Sequence, residues 1–407
     1  MNASFSLRRR HALSVAGAVA LAPWATTGHA LSLAAWQDIE RAAQGQTVYF
    51  NAWAGSDSIN AYIQWAAAEL LRDHGVKLQH VKISDAAEVV KRIRAEKQAG
   101  RKGTEGTVDL VWINGENFAA MKREGLLSAP FAQGLPHFQW VDTVGKPTTL
   151  IDFSVPTEGL ESPWGMAQLT FFADRQRLPK PPQSMADLLA LSRAQHGRLT
   201  YPRPPNFHGT TFLKQALLEL ATDPKALAQA VTPAALEVQA APLWRFLDAL
   251  HPHLWRGGKQ FPLNAAAMTQ MMSDGELLMS FTFNPNEAAN EIAAKRLAAS
   301  VYSWQFAKGT IGNTHFLAIP YNAHSKAGAQ VVANFLLSPA AQARKANIDV
   351  WGDPTVLDVP RLPAADRARF QAASRPGQLT QTAPTLPEPH ASWVEALEKE
   401  WVRRYGA

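Results

Sequence analysis

The 407-residue chain contains no cysteine. That removes thiol nucleophiles, disulfide frameworks and every cysteine-based zinc or iron–sulfur site. Signatures of catalysis are also missing: there is no G-x-x-x-x-G-K-S/T phosphate loop, no G-x-S-x-G elbow and no H-E-x-x-H metal motif. His251-Pro252-His253 is the only close histidine pair, and without a third ligand nearby it reads as a surface turn. Glu158 and Glu161 are spaced like paired acids, but a chain with 34 acidic residues supplies such pairs by chance, so they do not single out a glycosidase. Basic residues never cluster densely among aromatics in the body of the chain, which argues against nucleic acid. No segment reaches the roughly 18 uninterrupted apolar residues of a membrane-spanning helix.

What is present begins with an export signal. Arg8-Arg9-Arg10 precede an apolar stretch from Ala12 to Ala22, and Gly28-His29-Ala30 offers small residues at a peptidase site. The pattern predicts a signal peptide over 1–30 and a soluble mature protein of the periplasm. Arg9-Arg10-His11-Ala12-Leu13 resembles a twin-arginine signal, but Ala12 stands where an aromatic is usual and Ser14 where lysine is common. Both the general secretory and the twin-arginine routes stay open. Cleavage removes three of the 40 basic residues and no acid, leaving 37 against 34. So small an excess does not call for an anionic partner.

The body of the chain reads as α/β. Apolar runs at Thr47–Ala52, Lys77–Ser84 and Val108–Ile113 predict strands. Helical periodicity over Ile59–Leu71, Ala86–Ala99 and Glu116–Glu124 falls between and after them. Strand–helix alternation of this kind specifies a parallel sheet. Further on, a strand is expected at Arg198–Arg203, helices at Met185–Ala194, Thr210–Ala221 and most of Ala226–Ala249, and strands at Glu276–Thr282 and Phe316–Ile319. A helix at Lys326–Leu337 and an amphipathic helix at Ser392–Arg404 complete the pattern.

Candidate ligand contacts lie at strand ends, where open α/β sheets bind. The first strand releases the chain at Trp53-Ala54-Gly55-Ser56, placing an indole and bare backbone where a helix begins. The third ends in Trp112, with Asn114 and Glu116 at the next helix start. Pro163-Trp164-Gly165 forms a rigid connection whose Trp164 and Gln168 would face a cleft between lobes, although a plain linker has the same composition. Arg203 and Asn206 precede a helix start that could clamp an anion, or serve only turns and caps. Phe283 ends a later strand.

Taken together, "VYFNAWAGSDSINAYIQWAAAEL", "VDLVWINGENFAAMKREGLL", "ESPWGMAQ", "GELLMSFTFNPNEA" and "GNTHFLAIPYNAHSKAGAQVVANFLLSP" resemble the solute-binding proteins of ABC importers, extracellular solute-binding family 1, and within it the YnjB-type subgroup. The resemblance covers essentially the whole mature chain. It implies a two-lobed periplasmic binding protein fold of type II, a ligand in the interlobe cleft, closure on binding, and delivery to an inner-membrane permease. It also implies that Trp53, Gly55, Ser56, Trp112, Asn114, Glu116, Trp164, Arg203 and Asn206 serve the ligand, to which the strand-end reading adds Gln168 and Phe283.

The expected boundaries are 45–160 for the first part of lobe 1, 161–275 for the first part of lobe 2, 276–337 for the second part of lobe 1, and 338–407 for C-terminal helices packed on lobe 2. No cofactor, metal or catalytic residue is expected, and the protein is read as a monomer. Six scattered tyrosines do not suit a tyrosinate iron site. Cleft tryptophans with an acid suit a cationic or aromatic solute, and Arg203 would add a zwitterion. An exported hydrolase on the same scaffold is the alternative. If the export reading is right, intact-mass analysis of periplasmic protein will find an N-terminus within a few residues of Leu31. A pool that is mainly uncut and cytoplasmic would contradict it.

Overall fold

The computed structural model describes residues 33–371, 374–381 and 383–406; the export signal lies outside them. Helix α1 (Leu33–Ala43) leads into β1 (Thr47–Trp53), α2 (Asp57–His74), β2 (Lys77–Ile83), α3 (Ala86–Gln98), β3 (Leu110–Ile113) and α4 (Gly115–Arg123). Short strands β4 (Ile151–Asp152) and β5 (Val155–Pro156) make a hairpin before β6 (Glu161–Gln168) and β7 (Thr170–Asp174). Helices α5 (Met185–Ala194), α6 (Phe207–Leu220), α7 (Pro233–Leu250) and α8 (Ala265–Ser273) precede β8 (Met279–Thr282), α9 (Glu287–Ala293) and β9 (Val301–Trp304). Strand β10 (Thr310–Ala318) is followed by α10 (Lys326–Leu337), α11 (Pro339–Ala346), α12 (Ala364–Arg367), β11 (Thr385–Leu386) and α13 (Ser392–Tyr405).

Local chemistry sets these boundaries. Helix α2 buries Ile59, Tyr62, Ile63, Ala66 and Leu70 and stops at Gly75, whose left-handed backbone (φ +64°) turns its N–H back onto the carbonyls of Leu70 and Leu71. Asp85 caps α3 by accepting the Ala87 N–H at 2.8 Å. Helix α6 starts three residues earlier than its periodicity suggests, because the Asn206 side chain accepts the His208 N–H. The strand expected at Arg198–Arg203 does not form. Its Arg198 and Leu199 carbonyls accept from Leu278 and Trp255, but Pro202, Pro204 and Pro205 have no N–H with which to continue a ladder.

The elements form two lobes. In the first, β2 and β3 flank β1 in parallel, and β10 joins antiparallel to β3 with β6 on its other side. Val48, Phe50, Tyr62, Leu317, Val332 and Leu336 fill the core between this sheet and helices α2 and α10, and Val89, Ile93, Val111 and Phe118 fill the opposite face. The second lobe is built on the antiparallel sheet β8-β7-β9. Its core joins Phe171, Leu213, Leu247 and Phe281 to Trp393, Leu397 and Trp401 of α13.

The expected return to lobe 1 at residue 276 is therefore misplaced. Strands β8 and β9 both pair with β7, and the return runs through β10. The C-terminal third is also divided differently: Trp351, Val356, Leu357 and Leu362 belong to the lobe 1 core, while the stretch around Gly377 bonds to Ser303 and Asn286 of lobe 2 and α13 packs in its core.

A closed electrostatic unit fastens α11 to lobe 1. Lys345 and Asp353, both fully buried, are ion-paired, and His315 of β10 bonds the other Asp353 oxygen at 3.1 Å. Burial pushes the Asp353 carboxyl up, but Lys345 and His315 outweigh it and hold it below the usual carboxylate range. Removing one partner strands the other in the core, at a cost of about 3–5 kcal/mol. Lys345→Met is thus expected to lower the urea midpoint strongly, and Lys345→Met with Asp353→Leu to recover much of the loss. Equal midpoints for Lys345→Met and wild type would show that the pair carries no such weight.

Candidate functional site

The carboxyl ends of β1, β2 and β3 face the second lobe. The Trp53 indole, 39% exposed, folds over Gly55; a Cβ at Gly55 would stand 2.2 Å from the ring. This is why bare backbone follows the tryptophan: only glycine lets the indole lie across the entrance to α2. Ser56 holds the N-cap position of α2, but its hydroxyl pairs with that of Ser58 at 2.8 Å. Asn114 stands at the start of α4 and makes no cap bond. Instead Asp152 accepts the Gly115 N–H at 2.6 Å. Glu116 reaches solvent, yet the protein mass around it raises its pKa; Lys214 opposes that shift, and Asp85 and Glu388 add to it.

Lobe 2 answers with Phe207, 37% exposed and edge-on to Phe283 at 5.1 Å between ring centres. Phe283 itself is buried. Behind them His208 is held neutral, its pKa pushed down to about 4 by burial. Glu398 of α13 accepts the Thr210 hydroxyl at 2.6 Å and is raised to about 7, first by burial and then by Glu116 and Asp85 across the gap. Glu287, at the start of α9, is also raised to about 7, by burial and by Glu291. Arg296 lies within the fields of both Asp57 from lobe 1 and Glu287 from lobe 2. Asp85, Glu116 and Glu398 thus act on one another across the lobes, and Asp57 and Glu287 share the field of Arg296.

Several expected contacts are committed elsewhere. Trp164 is fully buried, because the lobe 1 core closes round it: it packs edge-on with Trp112 at 4.9 Å, with Trp351 at 5.5 Å and with Phe50 at 6.1 Å. Trp112 is the half-buried rim of that cluster, against His315 at 5.1 Å. The Gln168 amide donates to the carbonyls of Ala383 and Pro384 and so ties down the last passage between lobes. Arg203 lies over the Trp401 ring and donates to the Gly406 carbonyl, so it does not supply the positive charge expected of it. Asn206 is consumed as a cap.

Sequence reasoning missed Asp57, Asp85, Glu287, Glu398 and Phe207. The first two sit at helix starts after strands and were findable by the rule that found Ser56. Glu398 carries no local signal, since only the fold brings α13 to the cleft. Among the described residues no group of three or more histidines or acids is placed to hold a metal ion, and no helix is long and apolar enough to cross a membrane.

The family model described as bacterial extracellular solute-binding protein matches residues 65–368. The chain belongs to that family. The chain is similar to protein YnjB of Escherichia coli K12, 51% identical over 371 residues, which cover 91% of this chain and 94% of YnjB. Among solved structures it is similar to the periplasmic binding protein AfuA of Actinobacillus pleuropneumoniae, solved with fructose-6-phosphate (TM-score 0.62, 16% identity, 89% of this chain and 99% of that one). It is also similar to the Tp0655 (TpPotD) lipoprotein of Treponema pallidum (TM-score 0.64, 13% identity, 88% and 99%). These structures establish the two-lobed periplasmic binding protein fold.

The Trp53–Gly55 contact gives a direct check. Gly55→Ala is expected to displace the indole, shift the near-ultraviolet circular dichroism and weaken solute binding about tenfold, with little change in melting temperature. Unaltered dichroism and affinity would mean that the indole does not depend on the glycine.

Proposed function

We propose that this solute-binding protein is the periplasmic component of an ABC importer, that it acts as a monomer handing its solute to an inner-membrane permease, and that its cleft selects a cationic solute with an aromatic or apolar body. One observation carries the choice of charge. The basic groups nearest the cleft are each engaged within the protein: Arg296 by Glu291 at 2.6 Å, Lys214 by Glu388 at 2.7 Å, and Arg203 by Gly406 and Trp401. Asp57, Asp85, Glu116, Glu287 and Glu398 have no such ion pairs among the described residues, and Glu116, Glu287 and Glu398 all have raised pKa values. Negative charge held apart in this way is what a cation relieves on entering.

Trp53 and Phe207 offer exposed aromatic faces from opposite lobes. A cation over such a ring gains about 0.5–2 kcal/mol, depending on how far it is desolvated. With Arg203 turned away, the zwitterionic option loses its anion partner, so a simple cation fits better. The exported-hydrolase alternative draws no support from a family that binds solutes.

Denaturing the purified protein and identifying the released small molecule by mass spectrometry tests this reading, followed by a thermal-shift panel of amines, thiamine compounds, amino acids and sugars. A cation is expected, with Trp53→Ala weakening its binding by about 3- to 30-fold. The pH dependence has a definite sign. Glu287 and Glu398 are largely protonated below their pKa of about 7, and a cation favours their ionised forms. Affinity should therefore rise from pH 6 to pH 8 and level off above, with protons released on binding. A neutral sugar or a phosphate ester as the tight ligand, or affinity that falls over this range, would defeat the charge assignment.

A further inference from the structure

His251 and His253 lie two residues apart in the chain, and the fold parts them. His251 is buried and joined to the Tyr201 hydroxyl at 2.7 Å. His253, half-buried, instead meets the exposed His196 from the turn after α5, its Nδ1 standing 2.9 Å from His196 Nε2. Backbone pairing holds the bases of both rings. The Gly197 N–H donates to the His253 carbonyl at 2.9 Å, and the Trp255 N–H to the Leu199 carbonyl at 2.8 Å. Leu199 and Leu254 anchor the two segments in the lobe 2 core. Gly197, at φ +72°, makes the left-handed turn that brings the chain from α5 into this pairing.

The spacing of the rings has chemical content. Two imidazole nitrogens held about 2.0–2.1 Å from one ion stand about 2.9 Å apart at a right angle, and about 3.3–3.4 Å apart in a tetrahedron. With each ring centre about 1.1 Å beyond its nitrogen, the centres would then be about 4.5 Å or about 5.1 Å apart. Rings aimed straight at each other across a 2.9 Å hydrogen bond would also have centres about 5.1 Å apart. The observed centres are 4.4 Å apart, with the ring planes at 73°. Both distances match the right-angle arrangement, that of adjacent positions in tetragonal coordination. We propose that His196 Nε2 and His253 Nδ1 form a two-histidine chelate on the surface of lobe 2 that takes a divalent transition-metal ion, Cu²⁺ in preference to Zn²⁺, with water completing its coordination. In the free protein one ring donates its proton to the other. On binding, that ring carries its proton on its outer nitrogen, and both inner lone pairs go to the ion. Neutral rings are the ligand form, and desolvation, the His196 ring and Arg193 hold the His253 pKa below the ordinary histidine range. Arg193 also repels an incoming cation, but it is exposed and screened by solvent. Mg²⁺ and Ca²⁺, which take oxygen ligands, have no place here.

The test titrates Cu²⁺ into the full mature chain at neutral pH in a weakly coordinating buffer, followed by calorimetry and electron paramagnetic resonance. Wild type is expected to take its tightest equivalent with a tetragonal signal split by two nitrogens, and to lose it as pH falls through the histidine range. His196→Gln and His253→Gln should each remove one nitrogen from that signal. Each should weaken binding by at least the roughly 10- to 100-fold that losing an outer-shell partner costs a metal site. His324→Gln alters an exposed histidine of lobe 1 that bonds the Thr104 carbonyl, and it should change nothing. If His253→Gln does not fold, His196→Gln decides alone, since its side chain is exposed. A copper isotherm untouched by His196→Gln, or lowered as far by His324→Gln, overturns the proposal. So does a wild type without nitrogen-bound copper, or one that holds Zn²⁺ more tightly than Cu²⁺. None of these readings depends on which solute the cleft takes.

Discussion

The structure depends on one ladder of hydrogen bonds. Strands β6 and β10 run antiparallel from Gly312 opposite Gln168 to Ala318 opposite Glu161, and they carry the chain out of lobe 1 and back into it. The far end of β10 pairs with β3, which fixes the ladder to the first sheet, and its near end takes β11, the last passage of the chain between lobes. An irregularity in register at His315/Phe316 places Trp164 where it can enter the lobe 1 core. The cleft is therefore framed by strands whose positions are set by backbone pairing, and side chains at its walls are left free to meet a solute.

Charge is arranged on two levels. Both fully buried lysines are paired off within the protein, Lys345 with Asp353 and Lys214 with Glu388. Charges at the cleft are left unequal, with acids outnumbering the basic groups available to them. Desolvating a charge is tolerable when a partner is built in and costly when it is not. On the reading proposed above, a cleft that withholds partners from its acids gives a cation a reason to bind.

Much of this was legible in the sequence because periodicity reports local structure. Helices α5 and α10 have the bounds their patterns predict, and β1 to α4 follow in the expected order. The family resemblance supplied the two lobes. Tertiary placement was not legible. A tryptophan in a Pro-Trp-Gly stretch looks the same whether it faces a cleft or a core, and Trp164 belongs to the core because Phe50, Trp112 and Trp351 close round it. Arg203 likewise looked free until α13 brought Trp401 beneath it. The acids that matter at the cleft come from helix starts and from the far end of the chain, and no local pattern marks their convergence.

The anchoring of α13 has a consequence for how the protein is made. Trp401 donates its indole N–H to the buried Tyr201 hydroxyl at 2.8 Å, and that hydroxyl is joined to His251 at 2.7 Å. Trp393, Leu397 and Trp401 are core residues of lobe 2, while the lobe 1 core is complete by Leu362. A chain emerging from its N-terminus can thus finish the first lobe while the second still waits for its last helix. During that interval lobe 2 exposes the apolar floor on which α13 will lie. Threading the chain unfolded across a membrane would present this half-built lobe to the periplasm and its chaperones; folding before export would resolve it in the cytoplasm.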